Sequence, residues 1–96
     1  MDEIEQMWQQ FAAMPFPKGC GGKEVADVCL ASVDTFAAGC VCTFIGWRGR
    51  LDAERIKCLQ SCIDDLEIVV PLLDGQAKAY FEHLLQVSHN VLQFVG

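Results

Sequence analysis

The chain is poor in basic residues and has no long apolar stretch. Seven lysines and arginines stand against thirteen aspartates and glutamates in 96 residues, which leaves a formal charge of −6. This sign disfavours nucleic acid and anionic membranes as partners, because both require cationic side chains. The longest segment without Asp, Glu, Lys, Arg or His runs from Thr35 to Trp47, which is shorter than the about 20 residues of a membrane-spanning helix. We therefore expect no nucleic-acid partner and no membrane partner.

The amino-terminal sequence lacks the features of an export signal. It begins Met-Asp-Glu-Ile-Glu, which is acidic where a signal peptide is basic, and no apolar core segment follows. This pattern predicts a cytoplasmic protein. Its six cysteines lie mostly within helical patterns, which favours free thiols over a disulfide framework: Cys20, Cys29, Cys40, Cys42, Cys58 and Cys62.

Segments with the alternating pattern of a strand are also missing, whereas apolar residues recur at three- and four-residue spacing along most of the chain. This spacing predicts a first helix over residues 2–14, which Pro15 ends because proline disfavours helical geometry in the residue before it. A second helix is predicted from about Lys23 to Trp47. The glycine-rich segment between the two helices is predicted to be a loop.

The second half of the chain carries clear signals for two more helices. Asp52 is a suitable N-cap for a third helix, and Pro71 ends or kinks that helix. A fourth helix is predicted from about Gly75 to Val95. The whole chain, residues 1–96, is therefore predicted to be a single all-α domain, an antiparallel up-down four-helix bundle with a shorter first helix.

The second helix is apolar around most of its circumference in its second half. One stripe, which we expect to face the core, consists of Val25, Cys29, Val33, Phe36, Cys40, Phe44 and Trp47. The other side carries a second apolar set, which we predict to be a twofold dimer interface: Ala38, Val41, Cys42 and Ile45. The alternative is that the first or fourth helix of the same chain covers this second set and leaves a monomer.

The sequence contains no catalytic motif. Residues 17–24 place glycines and a lysine before a helix, as a phosphate-binding loop does, but Pro17 and Glu24 occupy positions where that motif needs glycine and Ser or Thr. We interpret this segment as a flexible connector. Neither a Glu-x-x-His pair nor a nucleophile elbow is present, so we expect no catalysis and no cofactor.

One alternative function involves the cysteines of the third helix. Cys58 and Cys62 are four residues apart, and Asp65 continues the same line, so the three side chains share one helix face. Such a set supplies part of the ligands of a Zn or Cu(I) site, which for zinc numbers four, or the thiols of a redox-active pair. The sequence therefore predicts a homodimeric interaction or scaffolding module, with a thiol-dependent metal-binding or redox protein as the alternative.

Overall fold

The computed structural model describes residues 2–95, which form four helices and a two-stranded hairpin. The elements are α1 (Asp2–Ala12), β1 (Glu24–Val25), β2 (Val28–Cys29), α2 (Leu30–Gly46), α3 (Ala53–Val69), a 3-10 turn (Val70–Leu72) and α4 (Gly75–Val95). This confirms the predicted all-α fold and its short first helix. Within residues 2–95, each helix is too short or too polar to cross a membrane.

The helices enclose one hydrophobic core. Helix α2 contacts both α3 and α4, α3 contacts α4, and α1 lies against α4. Helices α1, α3 and α4 contribute apolar faces that the three-four spacing of their sequences defines. The largest side chains that are fully removed from solvent are Phe44, Phe81, Leu30, Leu59, Leu66 and Leu84.

The predicted boundaries of α3 are confirmed, and both have clear physical causes. The Asp52 carboxylate accepts a hydrogen bond from the backbone N–H of Arg55 at 3.0 Å and one from its guanidinium at 2.9 Å. This satisfies a donor that the first helical turn would otherwise leave unpaired. At the other end, Pro71 lies in the 3-10 turn that follows α3, because its ring cannot continue the helix.

The predicted start of α2 is wrong, and so is the expected absence of strands. Residues 24–29 form an antiparallel hairpin in which Val25 pairs with Val28, and α2 begins only at Leu30. The cause lies in the two turn residues, Ala26 and Asp27, which have φ angles of 50° and 65°. Two consecutive left-handed residues cannot belong to a right-handed helix, and they give the tight turn that a two-residue hairpin requires.

The face of α2 that was predicted to be a dimer interface is largely covered by the chain itself. Val41 is fully buried in the core, Ala38 and Ile45 are partly buried against it, and Cys42 alone is exposed. On the next turn, Phe44 packs edge-to-face on Phe94 of α4 at a centroid distance of 5.4 Å. The uncovered apolar face from which the dimer was inferred is therefore not present.

The side of α2 that is buried in the structure differs from the stripe that the sequence predicted to face the core. Phe36 and Trp47, which were predicted to be in the core, are 57% and 49% exposed. With about 100° per residue, the buried side is turned by about 60° toward Val41. A helix that is apolar nearly all round has no strong preference for one inward direction, so packing against α3 and α4 decides it.

A partly buried polar contact joins α2 to α4. The Tyr80 hydroxyl donates a hydrogen bond of 2.6 Å to the Asp34 carboxylate. Burial raises the pKa of Asp34 above its ordinary value, and the hydrogen bond from Tyr80 opposes this only in part. Burial also raises the pKa of Tyr80, and the neighbouring Asp34 adds to the effect.

We predict that Asp34 makes the wild-type protein less stable as the pH rises above about 4. A carboxyl with a raised pKa holds its proton longer in the folded chain than in the unfolded chain, so folding is most favoured below the unfolded pKa. This contribution is lost as the pH rises through the folded pKa. Urea unfolding between pH 3 and 7 should show Asp34→Asn gaining stability relative to wild type across this window.

Asp64→Asn is the matched control, because Asp64 is an exposed aspartate of α3. Its stability difference from wild type should vary less with pH. A constant difference between Asp34→Asn and wild type over the same range would contradict the assignment to Asp34.

Candidate functional site

The groove between α2 and α3 is a concave surface that contains several reactive side chains. It contains two recesses. The hairpin recess, of about 380 Å³, is bordered by β2, the start of α2 and the middle of α3. The loop recess, of about 430 Å³, lies farther along α2, toward the loop that joins α2 to α3. Phe36 and Cys58 line both recesses, so the two form one continuous surface, which we call the α2–α3 groove.

Phe36 of α2 borders this groove, and a second exposed aromatic residue, Trp47, is the C-cap of α2 beyond the loop recess. Phe36 stands between the recesses, and Trp47 lies eleven residues farther on, about 16 Å along the helix axis and on nearly the same side. Between them, Gly39 and Thr43 line the loop recess. The Arg55 guanidinium lies over the Trp47 ring, 5.1 Å from its centroid, and this cation–π contact holds the indole beside Arg55, which lines the loop recess.

The groove is acidic. Asp27 and Asp65 line the hairpin recess, and Glu54 lines the loop recess. Arg55 is the one basic residue among the side chains that border the two recesses, and its guanidinium is paired with Asp52 at 2.9 Å. The field in the groove therefore favours cationic ligands.

Three cysteines meet where α2 and α3 touch. Cys58 lies next to both Cys40 of α2 and Cys62 of α3, and the Cys40 thiol donates to the Arg55 carbonyl at 3.7 Å. Burial raises the pKa of Cys40 to about 11 and that of Cys62 to about 12, and the neighbouring Cys58 adds to both shifts. Cys40 and Cys62 are therefore thiols, not thiolates, near neutral pH.

Cys29 is a fourth cysteine at this surface, in a different environment. It is the N-cap residue of α2 and lines the hairpin recess together with Cys58 and Cys62. Its neutral thiol makes no capping hydrogen bond. The Ser32 hydroxyl and then the Ser32 backbone N–H lower the pKa of Cys29, because both stabilise the thiolate.

The structure brings the residues of the predicted thiol site together and adds others to it. Cys58, Cys62 and Asp65 all line the hairpin recess. Within residues 2–95, however, no three His, Cys, Asp or Glu side chains are arranged to hold a metal ion. Sequence reasoning missed that Cys29 and Cys40 belong to this site. Their positions depend on the hairpin and on the packing of α2 against α3, which no local pattern specifies.

Four other residues with reactive or polar side chains lie outside the groove. Cys42 is exposed on α2 outside the groove, and Cys20 is buried in the loop that follows α1. His83 of α4 has its Nε2 atom 2.9 Å from the Met7 carbonyl, which ties α4 to α1. Ser88 is fully buried and its hydroxyl has no hydrogen-bond partner. These residues do not contribute to the α2–α3 groove.

Comparison of the chain with protein-family models, with curated proteins and with solved structures finds no match. The functional argument therefore depends on the geometry of the groove.

Proposed function

We propose that this protein is a non-catalytic interaction module that binds a basic, amphipathic helical segment of another protein in the α2–α3 groove. The observation that carries the proposal is the exposure of Phe36. More than half of this large aromatic side chain is in contact with water, at the centre of a concave surface. Aromatic side chains in such positions are frequent anchors of protein interfaces.

The shape of the groove suits a helix. Phe36 and Trp47 are about 16 Å apart along α2, close to three turns of a bound helix, and a helix in a groove is anchored at intervals of three to four residues. Gly39 and Thr43 between them are small. A partner helix can therefore approach the α2 backbone closely between the two aromatic side chains.

The charge of the groove selects among possible partners. Asp27, Glu54 and Asp65 would attract lysines and arginines on the rim of a bound segment. A second copy of this chain carries a charge of −6 itself, so an acidic groove favours it less. A second copy of the chain is the competing occupant of the groove, and the experiment below distinguishes it from a basic partner.

The test uses a synthetic amphipathic peptide of leucine and lysine as the probe, with the corresponding leucine and glutamate peptide for comparison. We expect calorimetry to detect binding of the lysine peptide only, weakening as salt is added. Phe36→Ser should weaken binding about tenfold or more, which is typical for loss of a central aromatic anchor.

Ile68→Ser is the matched control. Ile68 is exposed to a similar extent, 51%, but lies on α3 outside both recesses, so its replacement should leave peptide affinity unchanged. Equal losses from both substitutions, or equal binding of both peptides, would overturn the proposal. Sedimentation equilibrium of the protein alone should give the monomer mass. A dimer that Phe36→Ser dissociates would assign the groove to a second copy instead.

A further inference from the structure

Cys58 and Cys62 form a pair of neighbouring thiols in the hairpin recess, and their chemistry does not depend on the proposed interaction function. They are four residues apart on α3, which places their Cβ atoms about 5–6 Å from each other. The two side chains lie next to each other, and both line the recess. Cys58 is partly exposed and Cys62 is buried. One sulfur is therefore open to a dissolved reagent, with a second sulfur beside it.

The spacing of this pair favours a bridging atom over a direct sulfur–sulfur bond. A disulfide requires Cβ atoms about 3.5–4.5 Å apart, which is shorter than the about 5–6 Å between residues four apart on a helix. A direct bond between Cys58 and Cys62 would therefore distort α3. A single atom bonded to both sulfurs spans the wider separation and leaves the helix backbone in place.

The surroundings of the pair favour a neutral complex. Burial raises the pKa of Cys62 to about 12, and the neighbouring Cys58 and Asp65 add to the shift, so this sulfur carries a proton near neutral pH. Zinc needs four ligands, whereas residues 2–95 present no set of three side chains for a metal ion. A Cu(I) ion between two thiolates would leave one negative charge close to Asp65. A neutral reagent that reacts with two protonated thiols suits the pair better than either ion.

We propose that Cys58 and Cys62 together bind trivalent arsenic compounds that carry one organic group. In water such a compound is an uncharged arsonous acid, with two hydroxyl groups and the organic group on arsenic. Each thiol gives its proton to one hydroxyl, which leaves as water, and the sulfur bonds to arsenic. Two arsenic–oxygen and two sulfur–hydrogen bonds break, and two arsenic–sulfur and two oxygen–hydrogen bonds form. Arsenic stays trivalent, and the complex is neutral.

The apolar wall of the recess provides a place for the organic group. Val28, Val33 and Phe36 line the same recess as the two thiols. Its volume of about 380 Å³ exceeds the about 150 Å³ in which a protein cavity can hold benzene. A phenyl group on arsenic can therefore lie against the Phe36 ring. We expect the phenyl compound to bind about tenfold more tightly than the methyl compound, because it buries more apolar surface there.

Peptide mapping of the wild-type complex identifies the two sulfurs. Trypsin cleaves after Lys57 and Lys78, and the peptide between these sites contains Cys58 and Cys62 but no other cysteine. Reduced protein mixed with one equivalent of phenylarsonous acid should yield this peptide with one phenylarsenic group and no free thiol. An arsenic bridge from Cys58 to Cys40 would join two peptides instead, and that product would overturn the assignment.

Affinity measurements on variants distinguish a chelating pair from single thiols. Cys58→Ala and Cys62→Ala should each weaken binding of phenylarsonous acid about a hundredfold or more, because the second bond forms within a complex that the first bond holds together. Cys42→Ala is the matched control, since Cys42 is exposed on α2 outside the recess, and it should bind like the wild type. Circular dichroism should show that each variant is folded. Wild-type affinity in either of the first two variants would contradict the inference.

Phe36→Ser tests the position of the organic group. This variant should lose most of the preference for the phenyl over the methyl compound, while the methyl compound keeps its affinity. An unchanged preference would place the organic group outside the recess and overturn the inference that the recess holds it. None of these results alters the expected binding of the leucine and lysine peptide to the arsenic-free protein, so the two proposals can fail separately.

Discussion

Replacing Val41 by aspartate is expected to unfold the protein rather than to separate two subunits. Val41 lies on the inward side of α2 and is fully buried in the hydrophobic core. An unpaired carboxylate at such a position costs more than about 4 kcal/mol. This is a large part of the total stability of about 5–15 kcal/mol that is usual for a domain.

Cys42→Asp is the matched control, because it introduces the same charge at the next position, on an exposed side of α2. We expect this variant to unfold at nearly the wild-type urea concentration, while Val41→Asp loses its cooperative transition or most of its stability. Equal, small effects of the two substitutions would show that Val41 faces solvent and would restore the predicted dimer interface.

Phe81→Ala is expected to cost about 3–5 kcal/mol of stability. Phe81 is fully buried on α4. Its ring packs edge-to-face on Tyr80 at a centroid distance of 5.1 Å and on Phe16 of the loop after α1 at 6.1 Å. Removing the ring leaves a cavity and also loosens the loop, because Phe16 loses one of its two aromatic contacts. Urea unfolding measures the loss.

Phe94→Ala provides the comparison for this substitution. Phe94 is on the same helix but 52% exposed, with one edge-to-face contact to Phe44, so its removal should cost less than about 1.5 kcal/mol. Phe81→Leu, which keeps most of the buried volume, should fall between the two alanine variants. Similar losses at positions 81 and 94 would contradict the described core.

The sequence was sufficient to predict α3 and α4 because their signals agree with one another. Asp52 caps α3, Pro71 ends it, and the buried residues of α4 alternate regularly with exposed ones such as Glu82, Gln86 and His89. Local geometry and apolar spacing thus require the same structure. The same reasoning failed on α2, where apolar side chains surround the helix and the inward direction is set by its neighbours.

The hairpin and the thiol site could not be predicted for a related reason. Ala26 and Asp27 do not form a common hairpin turn sequence, and their left-handed conformation follows from the surrounding chain. Once this turn is in place, Cys29 precedes α2 and faces the recess that α3 supplies with Cys58. Residues from separate elements can be brought together only by tertiary packing.

The position of Cys58, on the border shared by both recesses, makes its thiol a reporter of occupancy. A helical ligand that rests against Phe36 would shield this sulfur from a small alkylating reagent. The rate at which Cys58 is alkylated should therefore fall in proportion to the fraction of protein that has a ligand in the groove.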